Sequence, residues 1–230
     1  MTTTLITGAN KGLGYEAARR LLADGHDVWI GARDEERGRR AAEELGARFV
    51  QLDVTSEESV AAAAATVEAE TGLDVLINNA GIPGDFRPVA ELTAADIQLV
   101  YDTNVLGPVR VSQAFIPLVQ RSEAPVIVNV SSGLGSQTLI RDPERVESTV
   151  VSVPYCSSKA ALNMITSQYA TAYPKIRINM VDPGYTATDL NHNSGHQTVT
   201  EGTDAIVAMA SIGPDGPTGT FSDRHGPVPW

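Results

Sequence analysis

The stretch Thr3-Thr4-Leu5-Ile6-Thr7-Gly8-Ala9-Asn10-Lys11-Gly12-Leu13-Gly14 decides the fold. Thr3–Thr7 is a short β-rich run that ends in Gly8. From Gly14 to Ala23 the periodicity is helical, with Tyr15, Ala18, Leu21 and Leu22 on one face and Gly25 as the stop. Between strand and helix lies G-x3-G-x-G. Gly8 permits a tight turn, and Gly12 lets backbone amides approach a diphosphate. Gly14 lets the helix pack closely on the sheet with its N-terminus facing the anion. A glycine loop in this setting predicts a dinucleotide-binding βαβ unit.

Outward from that loop, strands and helices alternate. Strands are predicted at Val28–Ile30, Arg48–Leu52, Val75–Ile77, Pro125–Val130, Ile176–Met180 and near Thr220–Phe221. Helices are predicted at Asp34–Leu45, closed by Gly46, and over SEESVAAAAATVEAE, capped by Thr55 or Ser56 and ended by Gly72. A long helical stretch runs from Thr93 through Val119 with a kink expected at Gly107-Pro108. Further helices cover Tyr155–Ala172 and the region near Thr203–Ile212, while Gly133–Val153 is polar and irregular. With no linker and no internal repeat, residues 1–230 are expected to form a single α/β, doubly wound Rossmann-type domain. It should carry a mostly seven-stranded parallel sheet with helices on both faces.

Composition agrees. A chain of 230 residues allows one large domain at roughly 100–200 residues per domain. Its net charge of −11 argues against a dedicated nucleic-acid binder, whose surface must attract phosphates. The single cysteine, Cys156, excludes an intramolecular disulfide and a Cys-based zinc site. The four histidines show no HExxH spacing. His192 and His196 are four apart but flank Asn193, Ser194 and Gly195, so they read as polar loop, and no metal is expected. MTTTLITGAN has neither the charge pattern nor the apolar run of a signal peptide, and no 18-residue apolar stretch exists. A cytoplasmic protein without membrane or nucleic-acid partners is expected.

The end of the second strand reports on the dinucleotide's ribose. A carboxylate there would hold a 2′-hydroxyl and repel a 2′-phosphate, and a base would do the reverse. Ala32 stands 18 residues after Gly14, about where the acid belongs, followed by Arg33, while Lys11 projects from the glycine loop. Two bases favour NADP(H) over NAD(H). Asp34, one residue on, is the rival acid.

Tyr155 and Lys159 are four apart on a predicted helix and share a face. An ordinary tyrosine, with a pKa of about 10, is a poor acid–base catalyst at neutral pH. A nearby ammonium should favour its phenolate. Such a pair suits proton donation to a carbonyl oxygen or removal from an alcohol. Ser132 ends the fifth strand at the carboxyl edge of the sheet, where a hydroxyl can bond the reacting oxygen. Ser131, one residue earlier, should face away and serve packing or a turn. Cys156 turns about 100° from Tyr155 along the helix and reads as packing.

Together TGANKGLG (7–14), LDV (52–54), NNAG (78–81), Asn104, VNVSS (128–132), YCSSK (155–159) and DPGYTAT (182–188) resemble the short-chain dehydrogenase/reductase family in its compact form. NKGLG and GARD are most similar to carbonyl reductases. The resemblance implies an NADP(H)-dependent oxidoreductase that reduces a ketone or aldehyde, or oxidises a secondary alcohol. Asn104, Ser132, Tyr155 and Lys159 would be its catalytic residues, with Asn104 holding a water in a proton relay with Lys159. Cofactor contacts are implied for Gly8, Asn10, Lys11, Gly12, Leu13 and Gly14, and for Arg33, Asp53 against adenine, and Val54. Asn79, Ala80 and Gly81 would line the cofactor, Tyr155 and Lys159 would touch it, and Pro183, Gly184, Thr186 and Thr188 would lie against the nicotinamide. The alternative is a non-catalytic NADP(H)-sensing or scaffold protein on the same fold. A third reading, an epimerase or dehydratase, fits the glycine spacing and the short C-terminal region poorly.

Two segments depart from the pattern. Ser132 to Tyr155 spans 23 residues, so 135–153 reads as an insertion before the tyrosine. Family members often pair through the helices bearing Asn104 and Tyr155. The insertion leaves both a homo-oligomer and a monomer open. The polar segment 189–202 stands where the family has a substrate lid, and its lack of large apolar residues points to an open site for a small-molecule substrate.

Overall fold

Strand β1 (Thr3–Thr7) is buried along its whole length, with Leu5 facing one helical layer and Ile6 the other. Successive strand residues point to opposite faces, so a run that is buried at both parities belongs in the middle of a sheet covered on both sides. In the computed structural model, which describes residues 1–230, β1 is followed by α1 (Gly12–Ala23), β2 (Asp27–Ala32), α2 (Glu35–Leu45), β3 (Arg48–Gln51), α3 (Glu57–Glu70) and β4 (Val75–Asn78). Then come α4 (Ala94–Tyr101), α5 (Gly107–Val119), β5 (Val126–Val130), α6 (Val153–Ala172) and β6 (Arg177–Val181). The chain closes with α7 (Val199–Gly202), α8 (Asp204–Ala210), β7 (Phe221–Asp223) and β8 (Gly226–Pro227).

The sheet order is β3-β2-β1-β4-β5-β6-β7-β8. The seven strands expected from the sequence are all parallel. A two-residue antiparallel strand, β8, adds to the edge through a tight turn in which Asp223 Oδ1 accepts from the amides of His225 and Gly226. One buried cluster takes Leu5, Trp29, Leu76, Ile127 and Ile178 from the strands and packs them under residues of α3, α5 and α6. The other takes Ile6, Ile30, Ile77, Val128 and Val181 and packs them under α1, α2 and α8. Truncating one such residue to Ala costs about 2–5 kcal/mol.

The helix ends follow local chemistry. Asp34 caps α2, its side chain accepting from the Arg37 amide at 3.0 Å, and Gly46 ends it in the left-handed region. Ser56, rather than Thr55, caps α3, accepting from the Ser59 amide at 3.2 Å. α1 opens at Gly12, two residues before the expected start.

The kink expected at Gly107-Pro108 falls earlier. Asp102–Leu106 form a π-type turn between α4 and α5, with the Gly107 amide bonding the Asp102 carbonyl. Pro108 has no N–H to offer the Asn104 carbonyl in the α register, so the helix loosens in the turn before it. Asn104 sits inside that turn.

The order reverses between β1 and β4, and the carboxyl ends of these strands frame the crevice where ligands of this architecture bind. The close approach of α1 to that crevice depends on Gly14. A Cβ there would lie 2.6 Å from Asn79 Nδ2 and 2.8 Å from Ala9 Cα. Gly14→Ala is expected to lower stability by roughly 1–3 kcal/mol. Gly213→Ala, at a position with nothing within 4 Å, should be close to neutral. Urea unfolding midpoints of the two variants measure the difference.

Candidate active site

The glycine loop is held from below. The Thr7 hydroxyl accepts from the Asn79 and Ala80 amides, each at 3.0 Å, and Asn79 Nδ2 donates to the Thr7 carbonyl at 2.9 Å. Ala80 stands so close to Gly8 that a Cβ would meet its Cα at 3.0 Å. Gly8 and Gly12 have φ of +64° and +58°, a region that L side chains rarely adopt. Asn10 and Leu13 lie half-buried on the loop, Leu13 packing into the core beside α1.

Above the loop the space is open. A Cβ on Gly12 would find only Thr188, at 3.8 Å. No side chain caps α1, and its first turn holds no acidic residue, so its leading amides are free for an anion. This cradle fits a diphosphate.

At the ribose end, Arg33 is exposed, and β1–β2 pairing brings it beside the loop: Thr7 is in register with Gly31, and the Ala9 amide bonds the Gly31 carbonyl at 3.1 Å. The rival acid, Asp34, is occupied as the cap of α2 and pairs with Arg37 at 3.5 Å. Lys11 Nζ is 2.9 Å from Asp189 Oδ2 on the far side of the crevice. Asp53 gives one carboxylate oxygen to Thr55, accepting from its amide at 3.0 Å and its hydroxyl at 2.7 Å. Val54 is buried against Gly107, whose Cβ would lie 3.0 Å from its Cγ2.

Tyr155, Lys159, Ser132 and Asn104 converge at the carboxyl ends of β4 and β5. Lys159 is 4% exposed. Its Nζ donates to the Val130 carbonyl at 2.9 Å and lies 5.6 Å from the centre of the Tyr155 ring. A Cβ on Gly81 would meet both Asn104 Oδ1, at 3.4 Å, and Lys159 Nζ, at 3.8 Å. Burial lowers the Lys159 ammonium to a pKa of about 8, with the Asp182 carboxylate working against it.

The phenol departs from expectation. Burial, then Asp182, pushes Tyr155 above its ordinary value, and Ser132 favours the phenolate. The Lys159 ammonium, donating to the Val130 carbonyl, stands 5.6 Å from the ring centre, near enough to favour the phenolate while it carries its charge.

The Asn104 side chain makes three hydrogen bonds. Its Oδ1 accepts from the Ile82 amide at 2.9 Å, and its Nδ2 donates to the Ile82 carbonyl at 2.9 Å and to Ser158 Oγ at 3.1 Å. It therefore straps the segment after β4 to α6. Oδ1 keeps one acceptor site, and Pro108 leaves the Asn104 backbone carbonyl without an α-register partner.

The stretch after β6 turns back on itself. The Thr186 hydroxyl donates to the Pro183 carbonyl at 3.0 Å and is buried under Gly202. Gly184 has φ +70° beside Gln197, and Pro183 is half-buried. Residues 189–202 fold onto this stretch, with the Ala187 amide bonding the Gln197 carbonyl at 2.9 Å and the Gln197 amide bonding the Tyr185 carbonyl at 3.1 Å.

Several supporting residues lie outside the sequence expectations. Ser131, expected to face away, donates to Asn163 Oδ1 at 2.5 Å. Asn78 Nδ2 donates to Asn129 Oδ1 and Asn129 Nδ2 to Thr166 Oγ1, each at 2.8 Å, a buried polar line from β4 through β5 to α6. Tyr155, Lys159, Asn163 and Thr166 recur at helical spacing on α6. That polar stripe on a helix packed into the core was the available signal.

Within the insertion, Arg145 pairs with Glu147 at 3.1 Å, and Glu147 Oε1 and Asp182 Oδ2 crowd Gly133 at 2.9 and 2.8 Å from where its Cβ would stand. The Ser136 hydroxyl donates to the Pro229 carbonyl at 2.6 Å, and Leu139 packs with Met180, Phe221 and Val228, so the segment lies on the sheet edge.

This arrangement can be set beside known proteins. The chain is 32% identical to a (+)-neomenthol dehydrogenase of Capsicum annuum, over 96% of this chain and 95% of that protein. Its structure resembles NADPH-bound carbonyl reductase from chicken fatty liver, at 29% identity and a TM-score of 0.87, over 100% of this chain and 99% of that one. It also resembles salutaridine reductase from Papaver somniferum, at 28% identity and a TM-score of 0.84, over 97% and 99%. Residues 2–199 match the family described as short chain dehydrogenase, and the chain belongs to that family.

Proposed function

We propose that this protein is an NADP(H)-dependent reductase of ketones or aldehydes, working by hydride transfer with Tyr155 as general acid. The observation that carries the reading is the convergence of Tyr155, Lys159 and Ser132 at the carboxyl edge of the sheet, beside a glycine cradle shaped for a diphosphate. The cofactor preference rests on Arg33, which is exposed, while the competing acid Asp34 is spent as a helix cap. The NADPH in the chicken carbonyl reductase supports it.

When bound, the dinucleotide supplies the hydride. The chain's own residues do the rest. The cradle and the free amides of α1 hold the diphosphate, and Arg33 and Lys11 take the 2′-phosphate. Ser132 bonds the carbonyl oxygen and Tyr155 gives it a proton. Lys159 stabilises the phenolate left behind. Asn104 keeps α6 in register with the segment after β4 and leaves its carbonyl for a water that can return the proton. The exposed, polar lid admits a compact substrate without enclosing it.

Tyr155→Phe is expected to cut NADPH-dependent reduction by about 10²–10⁴-fold while NADPH binding is retained. Turnover over a carbonyl panel, with binding read by NADPH fluorescence, checks both. Tight binding without turnover by the wild type on any carbonyl would favour a sensor or scaffold instead. Arg33→Ala should weaken NADPH roughly ten- to a hundredfold, as for a lost charged hydrogen bond, and leave NADH nearly unchanged. Equal losses would place Arg33 away from the 2′-phosphate.

A pH profile tests the ammonium. Lys159 is held near 8, so it carries its charge at pH 7 and loses it as pH rises through that value. Reductive kcat/KM should therefore fall above about pH 8. In Lys159→Arg, whose guanidinium stays charged, the residual activity should lack that alkaline limb. An unshifted limb would assign it to another group.

A further inference from the structure

The Lys11–Asp189 ion pair joins the glycine loop to the lid across 178 residues of chain, with Nζ to Oδ2 at 2.9 Å. Asp189 is presented by a fixed turn. Asn191 Oδ1 accepts from the Thr188 amide at 3.2 Å, and Asn191 Nδ2 donates to the Thr186 carbonyl at 2.8 Å. Thr188 stands over Gly12. Lys11 is the Asp189 carboxylate's one side-chain partner. Both side chains are largely exposed, at 58% and 66%, and so well solvated. An exposed pair of this kind is weak and readily exchanged. A phosphate monoester carries about −1.5 to −2 charges and is a stronger partner for an ammonium than one carboxylate. Backbone pairing puts Arg33 on the same side of the crevice as Lys11.

We propose that Asp189 is a specificity-determining residue, competing with the cofactor's 2′-phosphate for the Lys11 ammonium and so setting how strongly the protein prefers NADPH to NADH. This rests on the reading that Lys11 and Arg33 receive the 2′-phosphate. With no dinucleotide bound, the lid carboxylate holds Lys11. A 2′-phosphorylated dinucleotide displaces it, whereas NADH offers nothing at that position and leaves the pair closed. Part of the affinity that Lys11 could contribute is therefore spent on breaking the pair, and removing the carboxylate returns it.

The test is a double-mutant cycle read by direct binding of NADPH, NADH and 2′,5′-ADP to the full-length protein. Asp189→Asn is expected to tighten NADPH and 2′,5′-ADP by roughly two- to fivefold, the equilibrium equivalent of one exposed ion pair, and to leave NADH unchanged. In the Lys11→Met background the same substitution should have no effect on any of the three. Unchanged NADPH binding in Asp189→Asn, equal tightening of NADPH and NADH, or tightening that persists without Lys11 would each overturn the proposal. The cofactor reading is judged separately, on the wild type alone. If wild-type protein binds NADH as tightly as NADPH, that reading fails and this proposal falls with it.

Discussion

A buried ammonium sets the terms for much of this site. Lys159 reaches the interior with one hydrogen bond, to the Val130 carbonyl, and an isolated buried cation is costly unless other charges and dipoles offset it. The offset comes from Asp182, itself 6% exposed at the end of β6, whose field favours the charged lysine. Burial raises Asp182 in turn, and the amides of Gly184 and Gly133 pull it back. Residue 133 must then be glycine, because a Cβ would stand 2.8 Å from the Asp182 carboxylate. Glu147 and Asp223 add further negative charge, and Arg145 of the insertion supplies the nearby cation that tempers it. Residues 135–153 are thus tied into the electrostatics around Lys159 as well as into the packing of the sheet edge.

The opposite flank of Lys159 is held by neutral hydrogen bonds. Asn104 satisfies both backbone groups of Ile82 and reaches Ser158, the neighbour of Lys159 on α6. The same helix fastens Ser131 through Asn163 and β5 through Thr166. A single helix face therefore positions the phenol, the ammonium and the serine turn. A buried donor or acceptor left unpaired costs about 1–3 kcal/mol, so each of these bonds resists a shift of α6 relative to the strands.

The legible part of the fold is the part with local signatures. β1 to β7 each carry β-rich or alternating runs bounded by glycine or a helix cap, and each is found. β8, at two residues, is too short to have a period, and the π-type turn at Asp102–Leu106 is the consequence of one missing N–H rather than of a pattern. The site divides in the same way. The glycine loop and the Tyr155–Lys159 pair are contiguous in sequence and legible there. Ser131–Asn163, Asn78–Asn129–Thr166 and Lys11–Asp189 join residues 32 to 178 positions apart, and only the tertiary register brings them together. The upward shift of the Tyr155 phenol has the same origin. The i,i+4 spacing places an ammonium near the ring, but it does not reveal the burial or the Asp182 carboxylate that raise the phenol.

Those opposed shifts set the protonation state from which the proposed chemistry begins. Burial moves the phenol up and the ammonium down, yet at neutral pH both still hold their protons, since Lys159 titrates near 8 and Tyr155 well above that. The resting site is therefore a proton donor beside a cation. For the carbonyl reduction proposed above, that is the starting state, with Tyr155 as the donor and Lys159 beside the phenolate it would leave. Ser132 favours the phenolate through its own hydrogen bond, and its place at the end of β5 fixes that bond at the carboxyl edge of the sheet.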